Sequence, residues 1–307
     1  MTSASLTPLF LSYRHQAVLR LLRPHQWVKN TFVFVPTLFS GRVFDPSVLG
    51  RTFVVFLAFC AASSAVYAFN DVMDVDTDRR HPKKRLRPVA SRKLSARAAS
   101  RIALALAASA LGAAFVIDRA VFAIVALYLV LSFAYSMVLK RLSILDVLVI
   151  AIGFVLRMLA GAAVSTVPPS HWILLTTFFL SLFLGFSKRR SELANANGNG
   201  ALQRPVLQHY TIAMLDPLIV GLMGMTILSY SLYTVSDYAI ERFRTDALVY
   251  TVPFIVYGLL RYFQMLVVCR EGEDPSVILL KDRPIWICIL LWGLLCAWIV
   301  YRGGFWR

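Results

Sequence analysis

Thr52–Asn70 reads TFVVFLAFCAASSAVYAFN, and Asp71–Arg80 follows it without a break as DVMDVDTDRR. The first segment carries no Asp, Glu, Lys or Arg; the second is packed with them. A helix needs about 20 apolar residues to cross the hydrocarbon core of a bilayer. In lipid only helices and closed barrels satisfy their own backbone, and a continuous rather than alternating apolar run excludes the barrel. Ala120–Leu139 and Pro217–Ser236 are uncharged runs of the same kind. The whole chain is 58% hydrophobic and 16% charged. Soluble domains carry about 25% charged residues, so this one cannot cover a water-facing surface. It reads as a polytopic α-helical membrane protein.

Working outward, the sequence predicts nine transmembrane spans near 26–42, 52–70, 100–117, 120–139, 145–164, 171–187, 213–236, 247–268 and 284–301. The first contains Pro36 and begins close to Lys29. Arg14, Arg20 and Arg23 precede it without the short apolar run of a cleavable signal peptide. Lys and Arg number 32, and with a cytoplasmic N-terminus those in the inner segments outnumber those in the outer ones by roughly three to one. This predicts a C-terminus outside. The formal charge of +16 then reflects partly basic loops lying on anionic lipid. Cys60, Cys269, Cys288 and Cys296 form no CxxC pair and read as small packing residues.

Acids gather where the second span ends. Asn70, Asp71, Asp74 and Asp78 form N-D-x-x-D-x-x-x-D. At about 100° per residue the three aspartates share one helical face, and Asp76 points away. Carboxylates so arranged repel one another unless a cation lies among them. Mg²⁺ takes one or two carboxylates, waters and the phosphate oxygens of a substrate, so the spacing suits a metal-held diphosphate. A solvated helix end pairing with Arg79, Arg80 and Lys83 is the plainer alternative. The loop His81–Pro88, stiffened by two prolines, adds Lys83 and Arg87 as phosphate ligands, although Lys84 and Arg85 suit a lipid-facing role. Arg157 lies at membrane depth, where a charge is costly and by default functional; it binds a substrate phosphate or bridges to a neighbouring helix. Arg261 reads as structural.

The N-D-x-x-D-x-x-x-D segment resembles the first aspartate-rich motif of the UbiA-type intramembrane prenyltransferase superfamily. That resemblance covers most of the chain. It implies a single domain, 1–307, with nine helices around a central polar chamber open to the cytoplasm and with loops 71–99 and 188–210 capping it. The second motif of that family, D-x-x-x-D, falls at Gly185–Glu192, which reads GFSKRRSE. Only Glu192 keeps an acid there. This substitution looks like the decaprenyl-phosphate phosphoribosyltransferase branch. The opening Arg23-Pro24-His25-Gln26-Trp27-Val28-Lys29-Asn30, the connection from Tyr135 through Lys140 and Arg141 to Asp146, and Lys281-Asp282-Arg283-Pro284 are similar to segments of that branch.

The resemblance implies an Mg²⁺-dependent transfer of a 5-phosphoribosyl group from phosphoribosyl pyrophosphate to a polyprenyl phosphate, for cell-wall arabinan precursors. Asn70, Asp71, Asp74, Asp78 and Glu192 would hold the metal, with the three aspartates catalytic. Lys29, Lys83, Arg87, Tyr135, Lys140, Lys188, Arg189 and Arg190 would bind the donor, and Asp146 and Arg157 would contact substrate. The acceptor phosphate is already ionised near neutral pH, so no general base is needed. The partners are the two substrates and the cytoplasmic membrane, with no nucleic acid; a homo-oligomer is compatible with such a chain. Asn195–Gly200 reads as a flexible loop, a lid over the donor. Two other readings stand beside this one. One is a prenyltransferase acting on an aromatic acceptor such as hydroxybenzoate; the other is a transporter or lipid-phosphate binding protein, which the lack of an internal repeat disfavours.

Overall fold

The computed structural model describes residues 7–80, 82–195, 205–268 and 282–302. Among these there is no strand. The long helices begin where short polar side chains stand before apolar runs. Asp45 caps α3 (Pro46–Met73) by accepting from the amides of Ser47 and Val48, with Pro46 at the first helical position. Ser95 caps α5 (Ala96–Ile117), Asp118 caps α6 (Arg119–Met137), Ser170 caps α8 (His171–Ala194) and Thr211 caps α9 (Ile212–Thr234). Each cap satisfies an amide the first turn leaves unpaired. The remaining helices are α1 (Thr7–Leu22), α2 (Phe34–Phe39), α4 (Val75–Arg80), α7 (Leu145–Ser165), α10 (Asp237–Phe243), α11 (Val252–Val267) and α12 (Arg283–Arg302).

Seven of these helices (α3, α5, α6, α7, α8, α9 and α12) are long and apolar enough to cross a membrane, and an eighth span results if the bent pair 237–243 and 247–267 is counted as one. Their outward faces carry Leu104, Val116, Val130, Leu228 and Leu290, all more than half exposed. Such an apolar exterior has no place in water; this is an integral membrane protein.

Two expected spans take a different form. In place of one helix over 26–42, Pro24–Val33 is a 3₁₀ helix that passes into α2 at Phe34. Pro36 therefore falls in the first turn of the α-helical part, where its missing amide costs least. The segment lies against α7 at Gly161, where an added Cβ would stand 2.0 Å from the Val33 carbonyl oxygen. The stretch expected at 247–268 starts as a 3₁₀ turn, Ala247–Thr251, and continues as α11, bent 105° from α10.

Helices adjacent in sequence pack together: α3 on α5 and α6, α6 on α7, α7 on α8, and α8 on α9. Helix α7 contributes to three apolar clusters, one with α3, α5 and α6, a second with α8, α9 and α11, and a third, through Met158, with α2, α8, α9 and α12. That central position buries Asp146 at its start and Arg157 near its middle. Cys60, Cys288 and Cys296 are buried free thiols, as the packing reading expects. Cys269, Lys281 and most of the expected lid at 195–200 lie outside the described residues.

Candidate active site

Helix α3 ends at Met73, and Asp74 interrupts it before α4 resumes at Val75. The Asp78 amide still donates to the Asp74 carbonyl at 2.8 Å, so the helical phase carries across the break. In consequence Asp71 and Asp78 both point inward, 1% and 2% exposed. The Asp76 side chain is 82% exposed and pairs with Arg79.

Three bases meet these acids, Arg23 and Lys140 from distant parts of the chain and Arg87 from the loop that follows. Arg23 donates to Asp71 Oδ1 at 2.5 Å and lies over the Tyr67 ring at 4.9 Å. Arg23 adopts φ 51° and ψ 59°, a left-handed conformation uncommon for a side chain of this size. Arg87 stands between two carboxylates, 2.7 Å from Asp78 Oδ2 and 3.5 Å from Asp71 Oδ1. Lys140 reaches Asp74 Oδ1 at 2.6 Å and Asn70 Oδ1 at 3.2 Å. The opposite oxygen of Asp71, Oδ2, is buried with no hydrogen-bond partner. A buried carboxylate oxygen left in this state is costly, and a cation is what it can accept.

A second polar cluster sits where α7 begins and α8 ends. Asp146 is fully buried. Its Oδ2 accepts from Arg189 Nε at 2.7 Å and its Oδ1 from the Tyr210 hydroxyl at 2.8 Å. Arg189 also donates to Glu192 Oε2 at 2.5 Å. The Tyr210 hydroxyl accepts in turn from the Ile144 amide at 2.6 Å. Burial is the main influence on this phenol, which lies outside the spans, and pushes its pKa up to about 12. Arg190 turns elsewhere, to Asp216 at the start of α9 at 2.5 Å.

Arg157 is enclosed. Its three nitrogens donate to Asn30 Oδ1 at 2.7 Å, the Gly153 carbonyl at 2.7 Å and the Tyr128 hydroxyl at 3.0 Å. The rings of Tyr128, Phe154 and Phe59 stand 4.6, 5.4 and 5.5 Å from its guanidinium carbon. No carboxylate among the described residues pairs with it. Neutral acceptors and aromatic faces suit a delocalised, weakly hydrated guanidinium. The contacts tie the opening 3₁₀ segment to α6 and α7.

The UbiA prenyltransferase family model matches residues 31–199. The chain belongs to this family. It is 31% identical over 292 residues to the decaprenyl-phosphate phosphoribosyltransferase of Corynebacterium glutamicum, covering 92% of this chain and 86% of the relative. The enzyme of the same name from Mycolicibacterium smegmatis is 33% identical over 286 residues, 90% of this chain and 89% of the relative. In fold, the chain is similar to a UbiA homolog from Archaeoglobus fulgidus bound to DMAPP and Mg²⁺, with TM-score 0.72 and 21% identity, over 92% of this chain and 98% of that one.

Within this UbiA chain, the residues expected at the donor site divide into groups. Asn70, Asp71, Asp74, Asp78, Arg87 and Lys140 come together at the end of α3. Lys29 is half-buried, with its ammonium 2.5 Å from Gln26 Oε1. Lys83 is exposed, while Tyr135 and Lys188 are half-buried. Arg189 and Arg190 do not act as a pair, because successive residues on α8 point about 100° apart. Arg189 is buried against Asp146 and Glu192, and Arg190 is committed to Asp216. Nor does Glu192 join the aspartates: among the described residues, no three His, Cys, Asp or Glu side chains lie close enough to hold a metal by themselves. Bases fill the spaces between the acids instead. Sequence reasoning gave no role to Arg23, Asn30 or Tyr210. The first two lie in the quoted opening motif, but nothing local marks Tyr210. Asp282 pairs with Arg261 at 2.8 Å and caps α12 through the Ile285 amide at 2.9 Å. The Arg261 bond, chief among its partners, holds this carboxyl below the usual range.

Proposed function

We propose that this protein is a phosphoribosyltransferase. It moves the 5-phosphoribosyl group of phosphoribosyl pyrophosphate onto a polyprenyl phosphate, with decaprenyl phosphate as the reference acceptor, and releases pyrophosphate. The bond from ribose C1 to the pyrophosphate oxygen breaks, and one from C1 to an acceptor phosphate oxygen forms. The observation that carries this reading is sequence similarity of 31% and 33% to two decaprenyl-phosphate phosphoribosyltransferases across at least 90% of the chain. The basic stretch Lys188–Arg190 at the second motif fits a donor that is anionic at both ends. The product would serve as a precursor of cell-wall arabinan.

The buried, unpartnered Oδ2 of Asp71 fits an Mg²⁺ ion that one or two of Asp71, Asp74 and Asp78, with Asn70 beside them, would hold together with the donor rather than by themselves; the ion would neutralise charge on the departing pyrophosphate. Lys140 and Arg87, now paired with these acids, exchange partners for donor phosphate oxygens and keep charge balanced when the donor enters. Lys188 supplies a cation from the second motif. Asp146 and Glu192 neutralise Arg189, which braces α7 against α8 rather than binding donor directly. The excess of basic loops puts this end of the bundle on the cytoplasmic side of the cytoplasmic membrane, with the N-terminus inside and the polar chamber opening there.

Purified protein given labelled phosphoribosyl pyrophosphate and polyprenyl phosphate should form a labelled lipid in the presence of Mg²⁺. Turnover of a prenyl diphosphate with an aromatic acid, and none of the ribosyl donor, would overturn the proposal.

A further inference from the structure

The connection from α6 to α7 touches both polar clusters. Lys140 on it reaches Asp74 at 2.6 Å, and Asp146 receives Arg189 at 2.7 Å. Between them Ile144 adopts φ 69° and ψ −52°, and the Leu145 amide closes a three-residue turn onto the Ser143 carbonyl at 2.8 Å. A β-branched residue takes this conformation only where its surroundings impose it. The Ile144 side chain is 47% exposed, so its own packing is not what holds the turn. The Tyr210 hydroxyl bridges it from outside the connection: it accepts from the Ile144 amide at 2.6 Å and donates to Asp146 at 2.8 Å. With a pKa of about 12, that hydroxyl keeps its proton across the neutral range and remains a donor. Tyr210 is 3% exposed and does not itself line the donor site.

We propose that Tyr210 is a positioning residue for the transfer reaction. Its hydroxyl locks the strained Ile144 turn onto Asp146 and thereby fixes where Lys140, on the same connection, stands at the first motif. The inference rests on the ribosyl-transfer reading, because that reading makes Lys140 a ligand of donor phosphate.

Tyr210→Phe tests it while keeping the ring that packs on Phe186 at 6.2 Å. The KM for phosphoribosyl pyrophosphate should rise about tenfold, the effect of weakening the charge-assisted contact of Lys140 to the donor, with the KM for polyprenyl phosphate within about twofold. Adding Ile144→Gly should recover part of the loss, since glycine reaches φ near 69° without steric strain. A merely structural tyrosine would lower thermal stability and leave both constants at wild-type values, and that result overturns the inference. If Tyr210→Phe alone yields no folded protein, the double variant is read by itself. A donor KM above wild type supports positioning, and wild-type constants refute it. Wild-type protein inactive with the ribosyl donor would instead sink the proposed function, so the two failures are distinct.

Discussion

Replacing Gly161 with alanine should damage this protein far more than a one-carbon change usually does. Gly161 lies on α7, and a Cβ placed there would stand 2.0 Å from the Val33 carbonyl oxygen, 2.9 Å from its carbon and 3.3 Å from Pro36 Cδ. Ordinary contact begins near 3.4 Å, so α7 and the opening 3₁₀ segment would have to separate by roughly 1 Å or more in an interior packed like a crystal. The obstacle is backbone, which cannot rotate aside as a flexible side chain can. Overpacking of this kind typically costs ~1–3 kcal/mol and occasionally more, against a gain of ~1 kcal/mol from replacing glycine in a helix. A backbone obstacle places the cost at the upper end of that range, which leaves a net loss of about 2 kcal/mol, near thirtyfold in the folded-to-unfolded ratio. Turnover should fall too, because Asn30 on that segment is held by Arg157, one turn before Gly161. The control is Gly112→Ala on α5, where an added Cβ meets nothing within 4 Å; it should be neutral or stabilising. Thermal unfolding of the two variants in one detergent, with turnover measured on each, decides the matter. Equal melting temperatures and wild-type turnover for both would refute the close approach of α7 to the opening segment.

Asp71→Asn and Asp74→Asn should each reduce turnover by at least about a hundredfold while the protein remains folded, and Asp76→Asn should be mild; equal losses at all three would refute the inward phase of α3. Arg157→Lys replaces three donor nitrogens with one ammonium and should cost about 2–4 kcal/mol of stability, read by thermal inactivation. Unchanged stability with a raised donor KM would move Arg157 into the donor site. The Tyr210 pKa is raised in the folded state, so its contribution to stability is complete below pH 10 and is lost as pH rises toward about 12. Wild-type stability should therefore fall more steeply than that of Tyr210→Phe between those values in alkaline unfolding. Parallel curves would show that the phenol ionises alike in both states. A cysteine introduced at Ala96 should resist an impermeant thiol reagent in intact cells; labelling from outside would reverse the proposed orientation.

The membrane class, most of the spans and the address of the acidic cluster were legible in the sequence, because they depend on local properties. An uncharged run must be helical in lipid, and residues three and four apart share a helical face wherever the helix is placed. Thus Asp71 and Asp78 are buried on one side while Asp76 is exposed. Pairing is not local. Arg23 and Asp71 are separated by 48 positions, Lys140 and Asp74 by 66, and Tyr210 and Asp146 by 64. Which cation meets which carboxylate depends on how the helices dock, and hydropathy carries no record of that. The run Lys188-Arg189-Arg190 reads as one basic patch along the chain. Packing separates it, since each side chain leaves α8 in a different direction and Asp146 and Asp216 wait on different neighbours. Arg157 could be marked in the sequence as a costly charge at depth. Only the tertiary structure supplies Asn30, Gly153 and Tyr128 as neutral acceptors that fasten the opening segment, α6 and α7 around it.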